Sequence, residues 1–293
     1  DRMMLSILIP IYNENCVNLV SDLLIQAKAL ACPYEILVFD DFSPIQYKEN
    51  EIINQWENTT FKTLSENLGR AKIRNLLADS AKGDVLLFLD GDSGIVRNDF
   101  LKKYLEEIKS TSVVRGGTVY CSKDKIDKSY ALHWKYGTLI ESNRERQGKD
   151  MFTTNNFCLR KEVFKSVKFD ERIKGYGHED TVFKFELSKQ GFSFKNIDNP
   201  VEHLGLKNFE NFITSTQNAV VNLKKLSAKN EFKDSLQNLK LIKAYNLLAK
   251  YHLAGFYRFF FKLTKGIMLR MLKNENPNLK ILDLYKLGIF CIS

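Results

Sequence analysis

Several absences bound this protein before any motif is read. No stretch is both long and apolar enough to read as a bilayer-spanning helix. No charged n-region with an apolar core and small-residue cleavage site opens the chain, so the expected location is cytoplasmic. The five cysteines, Cys16, Cys32, Cys121, Cys158 and Cys291, are odd in number, widely spaced and form no C-x-x-C pair. That pattern argues against a disulfide scaffold or a cysteine-built zinc site and fits a reducing compartment. No G-x-G-x-x-G follows the first apolar run, which argues against a dinucleotide dehydrogenase. No G-x-x-x-x-G-K-[ST] occurs either, which excludes a P-loop nucleotidase. Internal repeats and low-complexity tracts are also missing.

What is present is a chain of 293 residues with 44% hydrophobic and 27% charged content, ordinary for a soluble globular protein and enough for a sizeable core. The net charge of +9 is unevenly placed. From Lys240 onward ten lysines and arginines face only Glu275 and Asp283, so the tail carries almost all of the excess and the body is nearly neutral.

The stretch around which the rest is arranged is Val85 to Ser93, VLLFLDGDS. An apolar run without alternation predicts a strand buried on both faces, as in a parallel sheet. It ends in Asp90 and Asp92, and ligands in open α/β sheets bind beyond the carboxyl ends of the strands. Gly91 is expected to turn the backbone so that both carboxylates face one divalent ion, Mg²⁺ or Mn²⁺. The plain alternative is an Asp-Gly turn.

Upstream, Met4–Pro10 predicts a first strand, followed by turn residues Ile11 to Asn15 and a helix over 16–30. Glu35–Phe39 predicts a second strand ending in Asp40-Asp41, which completes a βαβ unit and a sheet that is parallel at its centre. A short helix over 49–57, a strand over 61–64, a helix over 70–82 and another over 97–110 are expected, then an extended stretch over 112–120. Beyond Cys121 the alternation weakens. Helices are expected over 130–144, 160–167 and 179–189, strands over 153–159 and 192–197, a flexible loop at Gly175-Tyr176-Gly177-His178, and helices throughout from Asn208. Asn13-Glu14, Asp40-Asp41 and Asp90-Asp92 therefore meet at one sheet edge, a nucleotide site in which a metal ion replaces a glycine-rich cradle.

Five stretches, ILIPIYNE, EILVFDDFS, NLGRAKIRNLLADSAKGDVLLFLDGDS, TTNNFCLRKEVFKSVKFDE and GYGHEDTVFKFELSKQGFSF, stand in the order of family 2 glycosyltransferases. Over residues 4 to about 205 the chain resembles that family. The resemblance implies a GT-A fold, with a catalytic domain over 3–205, divided into a nucleotide-sugar half (3–120) and an acceptor half (121–205). Residues 206–293 would form a basic, amphipathic helical extension outside it. It also implies roles. Pro10, Tyr12 and Glu14 would border base and ribose, and Asp41 would accept from the ring N–H of a base such as uracil. Arg70 would reach base or phosphate. Asp90, Gly91 and Asp92 match the D-x-D, with Asp92 on the metal, Asp90 on ribose or metal, and His203 as a further metal or phosphate contact. In Glu179-Asp180, Asp180 is favoured as the general base.

These residue types suit inverting transfer from a nucleotide-sugar. The departing diphosphate gathers charge that a cation neutralises, and one carboxylate on the opposite face takes the proton of the acceptor hydroxyl. Adjacent helical positions point about 100° apart, so Glu179 and Asp180 cannot both serve. Plainer readings stand beside these: His203 as a satisfied histidine, Asp40 as a turn cap, Arg74-Asn75 as a salt bridge and cap, Trp134 and Tyr136 as ordinary packing instead of a sugar platform, and Lys224 to Lys243 as a solvated helix face.

The expected activity is thus a metal-dependent glycosyltransferase, of hexosyl or N-acetylhexosaminyl type. It would carry sugar from a UDP-linked donor to a glycan or lipid-linked acceptor, in surface polysaccharide synthesis. A sugar-phosphate nucleotidyltransferase would want a glycine-rich basic loop, which PIYNEN is not. A catalytically silent sugar-nucleotide-binding module would have no use for a base. No nucleic-acid motif accompanies the basic tail. Residues 251–273 predict an amphipathic helix, with Arg258, Lys262, Lys265, Arg270 and Lys273 at about 0, 40, 340, 120 and 60°. It suits either an anionic membrane surface, which would make the protein peripheral on the inner face of the cell membrane, or packing on the catalytic domain or a second subunit.

Overall fold

The structure, a computed structural model, describes residues 3–142 and 152–293. The chain divides into two compact units that interleave along the sequence. The first comprises Asp1–Tyr120, Ser142–Arg172 and Phe183–Gly205; the second comprises Cys121–Glu141, Ile173–Val182 and Leu206–Ser293. Contiguous blocks meeting at 120 and 205 were the expectation. Instead, the segments 121–141 and 173–182 group with the C-terminal helices.

The first unit is built on a sheet whose strands are β1 (Leu5–Ile11), β2 (Tyr34–Asp40), β3 (Thr59–Thr63), β4 (Val85–Leu89), β6 (Val113–Arg115), β8 (Asn156–Arg160) and β9 (Phe194–Asn196). The order is β3-β2-β1-β4-β8-β6-β9. The strands β3, β2, β1 and β4 run parallel, and β8 lies antiparallel between β4 and β6. A smaller sheet joins β5 (Ser93–Ile95), β10 (Val201–His203) and β7 (Thr118–Val119), with β10 in the middle.

Burial of the central strands on both faces follows from their composition. Leu5, Ile7, Ile9 and Ile11 of β1 and Val85, Leu87 and Leu89 of β4 enter one apolar cluster with the helices Val17–Lys28 and Phe100–Glu107. The alternate residues Leu8, Leu86 and Phe88 enter a second cluster with the helices Arg70–Ser80 and Lys161–Ser166. Phenylalanines dominate that second side: Phe88 stacks on Phe157 at 4.8 Å and Phe169 on Phe183 at 4.1 Å. The one polar residue within β1, Ser6, is fully buried and satisfied, donating to Glu35 at 2.6 Å and accepting from the Gly83 N–H at 2.8 Å.

Several expected elements change shape. The stretch 112–120 is not continuous but breaks at Gly116-Gly117, where a Cβ on Gly116 would clash with the Asn199 carbonyl and Gly117 sits at φ +88°. The helix expected from Arg97 begins at Phe100, and the segment over 49–57 is a 3-10 turn over Lys48–Gln55. The expected helix over 130–144 is helical from Ala131 and widens into a π-turn over Gly137–Glu141, with 143–144 outside the described residues. The short strands β5 and β10 went unread.

The second unit is helical: Ala131–Tyr136, Phe209–Ser227, Lys240–Lys250, Ala254–Leu272 and Leu279–Ile292 are its main helices. Asn208 and Asn278 cap two of them, accepting from the N–H groups of Asn211 and Lys280 at 2.9 Å each. Leu223, Phe261, Leu272, Leu282, Tyr285 and Phe290 form the heart of its core. Gly288 matters there, because a Cβ at that position would occupy the Phe261 ring. Trp134 donates to the Cys121 carbonyl and Tyr136 packs against Phe212, so both are structural aromatics.

Candidate active site

The parallel register brings Ile11, Asp40 and Leu89 to the same edge of the sheet. The loops beyond them are tied to one another. Asn13, at φ +57°, donates its N–H to Ser43 Oγ at 2.7 Å, and its side-chain oxygen accepts from Ile45 N–H at 3.1 Å. Asp40 caps its own turn, accepting from the Ser43 N–H at 3.0 Å, as the turn-cap reading anticipated.

Asp41 is buried and holds the start of the next helix. Its two carboxylate oxygens accept from Leu68 N–H at 2.7 Å and Gly69 N–H at 2.9 Å, just before the helix Arg70–Ser80. Burial raises the Asp41 carboxyl, and those two N–H groups oppose the shift. Gly69 sits at φ +81°, which lets the chain enter that helix sharply. One turn into the helix, Arg74 Nη2 reaches Asp90 Oδ1 at 2.7 Å, with the guanidinium almost wholly buried and the carboxylate partly exposed. A chain of contacts therefore runs from the end of β2 through the 67–69 turn and Arg74 to the end of β4.

The two aspartates of D-G-D have different protein partners. Gly91 is required for close approach: a Cβ there would lie 2.6 Å from Ile11 Cγ2. Asp90 turns to Arg74, while Asp92 turns to His203, whose Nδ1 lies 3.5 Å from Asp92 Oδ2. Strand β10 brings His203 there by pairing antiparallel with β5, His203 opposite Ser93. The Leu204 N–H then donates to the Asp92 carbonyl at 2.8 Å, and Gly205 passes so close that a Cβ would clash with Asp92 Oδ2.

Asp92, with 24% of its side chain exposed, is raised above the ordinary carboxylate range. Burial is the main cause and Asp90 adds to it, while His203 and Arg70 pull the other way. Glu14 is raised as well, first by burial and then by the charge of Asp92. Two desolvated carboxylates that repel each other beside a histidine form a corner suited to a cation. Among the described residues no three His, Cys, Asp or Glu side chains converge on a single point. Pro10 and Glu14 are partly buried at this edge, while Tyr12 and Arg70 are exposed.

Glu179 and Asp180 open the helix Glu179–Lys189 and fall in the second unit. Glu179 is buried at 4% exposure, whereas Asp180 is partly exposed, with Oδ1 accepting from the Thr181 N–H at 2.7 Å. The loop before them, expected to be flexible, is anchored through Asn222 and Ala219. Gly175, Gly177 and His178 all have positive φ, and Asn222 donates to the Gly177 carbonyl at 3.1 Å. His178 Nε2 lies 3.2 Å from the Ala219 carbonyl, and burial lowers its pKa.

Arg74 was read only as a structural salt bridge, and Gly205 was not read at all. The signal for Arg74 lay in its spacing, four residues beyond Arg70 and so on the same helix face. The signal for Gly205 was its place two residues after His203.

Residues 6–168 match the family model described as glycosyl transferase family 2. A glycosyltransferase of Haemophilus influenzae (strain ATCC 51907 / DSM 11121 / KW20 / Rd), itself uncharacterised, is 27% identical over 200 residues, covering 64% of this chain and 72% of that protein. Among solved structures, the mannosyltransferase PcManGT of Pyrobaculum calidifontis, in complex with GDP-Man and Mn²⁺, superposes with a TM-score of 0.58 at 14% identity, covering 100% of this chain and 88% of its own. Residues 1–349 of S. aureus TarS in complex with UDP superpose with a TM-score of 0.51 at 18% identity, covering 97% and 89%. At such identities these two likenesses are of fold.

Proposed function

Because the chain belongs to glycosyl transferase family 2 and has the mixed α/β fold of the GT-A glycosyltransferases, we propose that it inverts the anomeric carbon as it transfers sugar from a UDP-linked donor to a hydroxyl of a glycan or lipid-linked acceptor. The observation that carries this reading is the corner at the end of β4, beyond the carboxyl ends of parallel strands, where His203 Nδ1 lies 3.5 Å from Asp92 Oδ2 and the charge of Asp92 helps to raise Glu14. The complex of PcManGT with GDP-Man and Mn²⁺ supports a divalent ion by analogy of fold, and TarS with UDP supports the nucleotide class.

Asp92 would hold the metal, with His203 beside it, and the donor's diphosphate would complete the coordination. When bound, a divalent cation neutralises charge that develops on the departing diphosphate. Asp90, fixed by Arg74, presents its remaining oxygen to the donor's ribose. Each Asp41 oxygen keeps a lone pair after binding the 68–69 turn, which leaves it able to accept from a base N–H. Arg70 adds positive charge near Asp92 that suits a phosphate. Asp180 takes the proton of the acceptor hydroxyl; its partial exposure, against the burial of Glu179, supports that choice.

The decisive measurement is nucleotide release by the full chain across UDP-, GDP- and dTDP-sugars, with Mn²⁺ or Mg²⁺ and with EDTA. Release from UDP-sugars that stops in chelator is expected. Full activity in EDTA would end the metal assignment, and a GDP-sugar preference would end the UDP assignment. Binding without turnover for every donor and acceptor class would favour the silent module.

A further inference from the structure

The helix Ala254–Leu272 is apolar on two sides, and among the described residues one of them is buried and the other exposed. Phe261, Met268 and Leu272 point into the core of the second unit, and Phe261 is completely buried against the helix Leu279–Ile292. Phe256, Phe259, Phe260, Leu263, Ile267 and Met271 are exposed, Phe256 by 70% and Leu263 by 66%. At about 100° per residue, with Phe256 at zero, these six span from about 300° through zero to 60°, one continuous stripe. The buried three lie between about 120° and 160°, so the exposed stripe is a separate face and not the frayed edge of the core. With three phenylalanines among six large side chains, it amounts to roughly 600 Å² of exposed apolar surface, at or above the largest patch of an ordinary monomer.

Charge says what covers that face. Arg258, Lys262 and Lys265 lie at about 180–240°, in the sector between the buried face and the stripe's edge at about 300°, with Lys262 nearest that edge, and Arg270 at about 320° lies within the stripe. No acidic residue occurs in the helix. Long cationic side chains at the margin of an apolar stripe can extend to lipid phosphates while their stems lie on the apolar surface. No helix among the described residues is long and apolar enough to cross a membrane, which leaves an in-plane placement for this one.

We infer that the outward face of the helix Ala254–Leu272 docks on an anionic phospholipid surface. This goes beyond the transfer reaction and does not depend on it. The phenylalanines enter the headgroup boundary, and the cations meet lipid phosphates from the margin.

The test is sedimentation of the full chain with vesicles of phosphatidylcholine alone or mixed with phosphatidylglycerol. Binding on the order of tenfold tighter to the anionic vesicles, and weakened by salt, is expected. The triple variant Phe256→Ser, Phe260→Ser, Leu263→Ser should lose binding with an unchanged melting temperature, since all three side chains are exposed. The pair Arg258→Glu, Lys262→Glu should lose the preference for anionic lipid and keeps the inference falsifiable if the triple variant misfolds. Failure to sediment with anionic vesicles at low salt would overturn it. So would a dimer in sedimentation velocity that the triple variant abolishes in a protein that ignores vesicles.

Discussion

The two units solve the burial of apolar surface differently. In the sheet unit, β1 and β4 are covered on both faces by their own helices, and what is left at one edge is a row of strand ends, with Asn13, Asp90 and Asp92 partly exposed and Asp41 buried behind them. In the helical unit, the helix Ala254–Leu272 buries Phe261, Met268 and Leu272 and leaves six large apolar side chains in water. A parallel sheet collects polar groups at one edge because every strand ends there. A helix distributes its residues around its circumference and can serve two neighbours at once. The acidic strand ends and the exposed apolar stripe therefore stand in different units of the chain.

The sharpest way to break the contrast is at the strand ends. Asp92→Ala should lower transfer on the order of 10³-fold by removing a carboxylate that would hold the cation neutralising the departing diphosphate. The same change should leave the melting temperature of the metal-free protein unchanged or higher, since burial already penalises this carboxylate. A melting temperature that falls as for a core truncation would assign Asp92 to the scaffold.

A smaller effect is expected at the start of the helix Glu179–Lys189. Asp180→Asn should slow turnover roughly 10²-fold or more while nucleotide affinity stays as in the native protein. Glu179→Gln should read out mainly in stability, because Glu179 is buried. Calorimetric titration with UDP beside steady-state rates separates the two. An affinity loss matching the rate loss in Asp180→Asn would make that residue structural.

The smallest effect concerns pH, and the two units respond with opposite sign. His178 is lowered by burial, so the folded chain binds its proton less readily than the unfolded chain does. Its contribution is present above the unfolded value of about 6.5 and is lost as pH falls through the folded value. Glu14, Asp41 and Asp92 are raised, so their contribution is present at acid pH and lost as pH rises through their elevated values. Melting curves of the native chain and of His178→Asn, a residue that tolerates positive φ, check this: the variant should lose less stability between neutral pH and about pH 5. An identical acid limb in both would remove His178 from the account.

Much of the sheet unit was legible. Apolar runs such as VLLFL have no alternation because both faces are covered, and that pattern survives in one dimension. The helix Glu179–Lys189 was read with its observed bounds, and the helical run from Asn208 was read as helical. Strands β5 and β10 are three residues each, too short to show a period, and their pairing is what brings His203 to Asp92.

By itself, the sequence determined the central parallel strands, the acidic groups at their ends, and the basic, apolar character of the tail, since these depend on local pattern and composition. Tertiary structure decided which partner each group received. Arg74 takes Asp90 and His203 takes Asp92 because a helix packed on one sheet face and a late strand paired with β5 bring distant residues within a few ångströms. It also decided which of the two apolar stripes on the helix Ala254–Leu272 entered the core. A helical periodicity marks both stripes alike, and the burial of Phe261, Met268 and Leu272, with Phe261 seated over Gly288, distinguishes the inner from the outer.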